Sequence, residues 1–220
     1  KYEFKTGEND YKETSMGIVL KRRDNANIVK HVYGGVVKNI MINKDIPKSI
    51  TDLRKDIMDM INGVFKLDML VITKTLKGTY KNPDQIAHKV LAERIGKRDP
   101  GNKPMVNDRI PLVYIEKKEK KGLVILQGDR IEHPDYIKEK KLTPDYKFYI
   151  TNQILKPVCQ IYSLIIEQME GFKKEPNYYE NKYKFLLRSK TEEKANQKII
   201  DMKMEDTSEI IFGSILRDIE

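Results

Sequence analysis

Apolar residues recur at helical spacing in three stretches of the first hundred residues. Ile28, Val29, Val32, Val36, Val37 and Ile40 share one face of a helix that Asp24-Asn25 is placed to cap. Gly34-Gly35 falls inside it, weakening the helix or admitting a close neighbour. Ile50, Leu53, Ile57, Met60, Ile61 and Val64 form the cleanest stripe, predicting a helix over 49–64. Pro83 at a first turn, then Ala87, Val90, Leu91 and Ile95, predicts a third.

Between and after these the period changes. Residues 15–20, 67–76, 110–115 and 123–126 are short apolar or β-branched runs and predict strands or extended segments. The last two are joined by a charged turn over 116–122, and 97–102 is a loop on its Pro and Gly. A long helix is expected from Tyr146 to Glu170, kinked or split at Pro157. Beyond Gly171 the chain turns to Lys, Glu, Asn and Tyr. Residues 173–206 read as a loosely held tail or lone helix, and an amphipathic pattern returns through Ile210, Ile211, Phe212, Ile215 and Leu216. The fold class is α+β, predominantly α-helical, with a small antiparallel sheet.

Composition narrows the function classes. Hydrophobic residues at 39% and charged ones at 34% describe a charge-rich globular protein, and no apolar run approaches the roughly 20 residues that span a bilayer. No secretory leader is visible, and a start at Lys1 reads as the middle of something longer. The net charge of +9 favours a polyanionic partner, although a lysine-rich surface that only aids solubility would read the same way. Cys159 is the single cysteine, which excludes internal disulfides and a cysteine-based zinc site and fits a reducing intracellular compartment. The scattered His31, His88 and His133 make a poor metal set.

Catalytic constellations are missing. There is no phosphate-binding glycine loop and no nucleophile elbow. Asp108 and Asp129 could be imagined as a two-metal pair, but turn or strand-end roles suit them better. Basic residues instead collect in loops at element ends, where cations and helix-start N–H groups reach phosphates: Lys21-Arg22-Arg23, Lys74 with Lys77, and Lys97-Arg98. Each cluster alone also reads as ordinary solvated charge.

Particular wordings add to this. Gly17-Ile18-Val19-Leu20-Lys21-Arg22-Arg23-Asp24-Asn25 resembles the segment that closes the palm of family B DNA polymerases. The run Leu70 to Leu76 resembles the thumb's Ser/Thr-Lys-x-Leu element. Leu91-Ala92-Glu93-Arg94, Lys97 to Gly101 and Asp108-Arg109-Ile110-Pro111 are similar to the thumb signature of delta-type enzymes. Tyr149, Gln153, Leu155, Lys156 and Pro157 resemble the family's closing helix. These matches run in family order over roughly 17–166. Two departures stand out. Asn107 replaces a common Gly, though Asn tolerates a left-handed turn, and no cysteine-rich module follows. The composition and the MGIVLKRRDN wording look more like polymerases of large DNA viruses.

The resemblance implies a palm edge over 1–25, a thumb over 26–172 and a tail over 173–220 with a terminal amphipathic helix. It implies the C-terminal part of a DNA-directed DNA polymerase that grips primer–template duplex in replication. The catalytic aspartates and their magnesium would lie upstream in the parent palm, leaving this stretch without a catalytic residue, metal or cofactor of its own. Lys21, Arg22, Arg23, Thr73, Lys74, Arg94, Lys97, Arg98 and Arg109 are the implied DNA-contacting set. Some of Arg94, Lys97, Arg98 and Arg109 would instead hold loops by bridging Asp99 or Asp108, while Tyr149 and Gln153 are expected first to pack. Partners implied are the duplex, the remaining polymerase domains and, less directly, a sliding clamp; no membrane is implied. Residues 209–216 lack clamp-box aromatics and are expected to pack back on the thumb. The expected setting is the nucleus or a viral replication factory. A free-standing basic accessory protein and a protein-interaction domain remain alternatives on the residues alone.

Overall fold

A computed structural model of the chain describes residues 2–5, 11–14, 19–22, 24–117 and 126–218. They form two compact units, one from 1–31 with 59–149 and the other from 32–58 with 150–220. The described residues carry several helices and two small antiparallel sheets, the predominantly helical α+β class that the periodicity predicts.

Strands β1 (Tyr2–Lys5) and β2 (Tyr11–Thr14) pair antiparallel, with Tyr2 opposite Thr14, in a polar stretch that reads as a linker or the end of a preceding strand. Of the strand expected over 15–20, residues 15–18 lie outside the described residues; Val19–Lys21 is a 3₁₀ turn. Helix α1 (Asn27–Met41) runs unbroken through Gly34-Gly35, and a Cβ on Gly35 would meet open space, so no close neighbour explains that glycine. Helix α2 (Ile46–Ile61) starts three residues earlier than the predicted 49 because Asp45 caps it, the Lys48 N–H donating to Asp45 Oδ1 at 2.9 Å. Ile50, Leu53, Ile57 and Met60 are buried as the stripe requires. Gly63 at φ +70 ends the pattern, leaving Val64 exposed.

In the first unit, a 3₁₀ turn at Leu67–Leu70 leads into β3 (Ile72–Thr75), so the extended run is shorter than expected. Helix α3 (Ala87–Arg98) follows, then β4 (Arg109–Tyr114), β5 (Ile131–Glu132) and α4 (Pro134–Lys140). The sheet order is β3-β4-β5, antiparallel throughout, with Lys74 opposite Ile110 and Val113 opposite Glu132. The strand expected over 123–126 falls mostly outside the described residues. Its partner role belongs to β5, reached through a 3₁₀ turn at Gln127–Arg130. Ile72, Ile110, Leu112, Leu91 and Ile131 are buried here. A Cβ on Gly128 would stand 2.9 Å from Val90 Cβ, so only glycine lets this turn lie so close to α3. Asn107 holds φ +74, the left-handed conformation expected where a Gly is common.

Helix α5 (Tyr146–Phe148) is followed by a π-helical stretch (Tyr149–Ile154) and α6 (Leu155–Tyr162). Pro157 has no N–H to give the carbonyl four residues back, and the widened turn just before it relieves that conflict. The helical run ends at Tyr162 and not at Glu170; only a 3₁₀ turn at Ile166–Gln168 follows.

In the second unit, the expected loose tail carries α7 (Tyr178–Leu186) and α8 (Glu192–Asp218). Helix α8 packs against α6 and α7, burying Ala195, Thr207, Ile211, Phe212 and Ile215. The segment 209–216 therefore packs back onto the molecule, as its amphipathic pattern suggests. Tyr179 donates to Asp206 at 2.7 Å, and Lys174 pairs with the same carboxylate.

Candidate nucleic-acid interface

The turn before α1 brings Arg22 and Asp24 together, and the outer strand β3 adds Lys74. Arg22 donates Nε and Nη2 to the two Asp24 oxygens at 3.1 and 3.0 Å, and Lys74 Nζ donates to Asp24 Oδ2 at 3.2 Å. Asn25 Nδ2 leans back to the Val19 carbonyl at 3.4 Å. Among the described bonds of this pair none caps α1, as a helix cap would require; Asp24 gathers two cations and orients Arg22, the other role that the resemblance implies for it. The hydrogen bond from Arg22, helped by Lys74 and opposed by partial burial, holds the Asp24 carboxyl well below the usual carboxylate range. Arg22 and Lys74 keep 62% and 40% of their side chains exposed, so both still face solvent while one carboxylate fixes their directions.

Thr73 and Lys74 are adjacent on a strand and so point to opposite faces. Thr73 shares its face with Pro111 and receives a hydrogen bond from Arg109 Nη2. That face overlooks a groove of about 610 Å³ whose rim includes Asn27, Lys30 and Lys138. The expected Thr73–Lys74 phosphate contact is thus divided between two sides of the sheet. Arg109 goes with Thr73, not with Asp108, whose carboxylate accepts from the Met105 N–H at 2.7 Å and fixes its own turn.

Arg94 and Arg98 have a different partner from the one expected. Both reach Glu132, which is buried with 3% of its side chain exposed: Arg94 Nη1 at 3.1 Å and Arg98 Nη2 at 2.8 Å. Arg94 also donates to the Ile131 and Gly128 carbonyls, and Arg98 lies 3.6 Å over the Tyr136 ring. Burial pushes the Glu132 carboxyl up, but hydrogen bonds from Arg98, the His133 N–H and Arg94 outweigh it and hold the pKa below its ordinary value. Asp99 takes no part in this. Its oxygens accept from the Gly101 N–H and Asn102 Nδ2, closing the loop after α3. Arg94 is therefore a structural cation. Arg98 is largely one, with an edge on a cleft of about 740 Å³ that Lys103 and Arg109 also line. Lys97 is exposed in the last turn of α3. Arg23 and the Lys21 side chain lie outside what is described. Tyr149 packs as expected: it is fully buried, donates to the Leu70 carbonyl at 2.7 Å and accepts from the Tyr114 N–H at 3.1 Å.

Sequence reasoning missed Glu132, Lys30 and Lys138. Glu132 stands 34 residues from Arg98, beyond any periodic pattern, while Lys138 sits in an ordinary charged run.

The sequence pattern of DNA polymerase family B matches residues 2–165. The chain belongs to that family. Among family B members it is similar to a DNA polymerase of Pyramimonas orientalis virus, 48% identical across 94% of this chain, and to one of Acanthamoeba polyphaga mimivirus, 52% identical across 74%. The DNA polymerase delta catalytic subunit of Glycine max is 36% identical across 71%. Both viral polymerases exceed the plant subunit in identity, in line with the viral resemblance of the sequence. The chain spans 17%, 10% and 14% of the length of these three relatives. Among the described residues of this family B chain, no three His, Cys, Asp or Glu side chains gather in a way that could hold a metal ion. No described helix is long and apolar enough to cross a membrane.

Proposed function

We propose that this chain is the thumb-bearing part of a DNA-directed DNA polymerase and grips the primer–template duplex during template-directed synthesis. The observation that carries the reading is the Arg22–Asp24–Lys74 cluster. One carboxylate aims two solvent-facing cations from separate elements, and a duplex backbone offers phosphates a few ångströms apart to receive them. Family membership and the net charge of +9 support it. Contacts of this kind ignore base identity, as an enzyme copying every sequence requires, and they contribute to catalysis by holding the primer end in line. Arg109 with Thr73 and the exposed Lys97 extend the set. Arg94 and Arg98 hold the scaffold. The catalytic aspartates and magnesium belong, in this reading, to a palm elsewhere in the parent polymerase, working in the nucleus or a viral replication factory.

The test is affinity of the chain for a blunt primer–template duplex across a salt series, beside Arg22→Ala and Lys74→Ala. Wild-type affinity is expected to fall steeply with salt and to be indifferent to sequence. Each variant should lower the slope of log affinity against log salt by about 1. Weak binding with a flat slope, unchanged in the variants, would remove the duplex grip from this chain.

A further inference from the structure

Helix α7 lies beyond the residues matched to family B, and its outer face has a chemistry of its own. Tyr178, Lys182 and Phe185 stand at i, i+4 and i+7, one stripe of the helix. The neighbouring face, about a quarter-turn round the helix, holds Tyr179 and Leu186, both buried, so the packed side of α7 is a different one. Phe185 is 57% exposed. Lys182 Nζ stands 5.6 Å and the Arg188 guanidinium 5.9 Å from its ring centroid, while Lys174 Nζ is 4.5 Å from the ring of Tyr178. Lys182 and Arg188 form no ion pair among the described residues, and the one acid of α7, Glu180, is paired with Lys184.

An open aromatic ring between two unpaired cations, on a stripe without a carboxylate, is complementary to a nucleotide: a flat base beside phosphates. It suits a single strand. In a duplex the base faces are covered by their neighbours, while an unpaired strand offers them to a side-chain ring, and phosphate charge is met by the flanking cations. Both cations sit near the outer limit of attraction to the ring and are readily drawn off it. An acidic protein surface would meet the charges but would leave the flat ring without a matching partner. We propose that the Tyr178–Lys182–Phe185 stripe of α7, with Arg188, binds single-stranded DNA, Phe185 stacking on a base while Lys182 and Arg188 take the adjoining phosphates. This contact lies in the second unit and shares no residue with the proposed duplex grip.

The chain has no tryptophan, so Phe185→Trp places one reporter ring at the site. Titrating that variant with a twelve-residue oligothymidylate is expected to quench its emission, as stacking on a base requires. Phe185→Ala should weaken oligothymidylate binding by about tenfold, and Lys182→Ala/Arg188→Ala should make its salt dependence shallower. None of the three should alter blunt-duplex affinity, whereas Arg22→Ala and Lys74→Ala should lower duplex affinity and leave the quenching in place. Unchanged tryptophan emission at saturating oligothymidylate, or oligothymidylate affinity that Phe185→Ala leaves intact, overturns the proposal whatever the duplex arm shows. A duplex arm that fails while quenching persists overturns only the grip.

Discussion

At the scale of single residues, the buried Glu132 carries the largest consequence. Two guanidiniums from α3 meet on one carboxylate, and that carboxylate ties α3 to β5. Removing one partner of a buried pair leaves the others charged and unanswered, so Glu132→Ala is expected to cost about 3–5 kcal/mol, read as a lowered midpoint in urea unfolding. Its pKa is depressed in the folded chain. The stabilisation is therefore complete above the unfolded value and drains away as pH falls through the folded one. Unfolding curves between pH 6 and 3 should show an acid-dependent loss of stability in the wild type that is smaller in Glu132→Gln. The basic residues were visible in the sequence, but which of them would be free was not. Arg94 and Arg22 look alike as letters. What separates them is a distant glutamate for one and a neighbouring aspartate that leaves the cation in solvent for the other.

At the scale of elements, periodicity served wherever burial is one-sided. The α1 and α2 stripes were legible because the buried positions, Ile28, Val29, Val32, Val36 and Val37 in one and Ile50, Leu53, Ile57 and Met60 in the other, repeat at the period of the element. Two of the places where legibility failed did so for different reasons. Strand β5 is two residues long, too short to own a period, and exists because β4 offers it hydrogen bonds. Helix α8 has a polar first half, and only its packing on α6 and α7 justifies its 27 residues. Phe212, fully buried on α8, is the point at which that packing can be probed. Phe212→Ala removes a large buried ring and is expected to destabilise the chain by about 3–5 kcal/mol. The loss should be visible in helical circular dichroism on heating, whereas an alanine at exposed Ile200 on the same helix should change little.

At the scale of the whole molecule, the single thiol reports on integrity. Cys159 is fully buried on α6, and burial pushes its thiol up to about 12. A thiol so placed is protonated and shielded at neutral pH, so Ellman's reagent is expected to leave the native chain unmodified and to label one thiol after denaturation. Rapid labelling of the native chain would show that this core opens readily. A different property of the chain follows from the position of β3. It is the outer strand of its sheet, and an outer strand carries unpaired backbone groups that can recruit the strand of another copy. Four residues with a lysine among them make a poor template for such pairing. Lys74, with 40% of its side chain exposed, puts a charge on that edge, and a neutral residue there bares the edge in the same stroke that removes the cation. A glutamate at this position would keep the edge charged while repelling phosphate, separating lost grip from clumping.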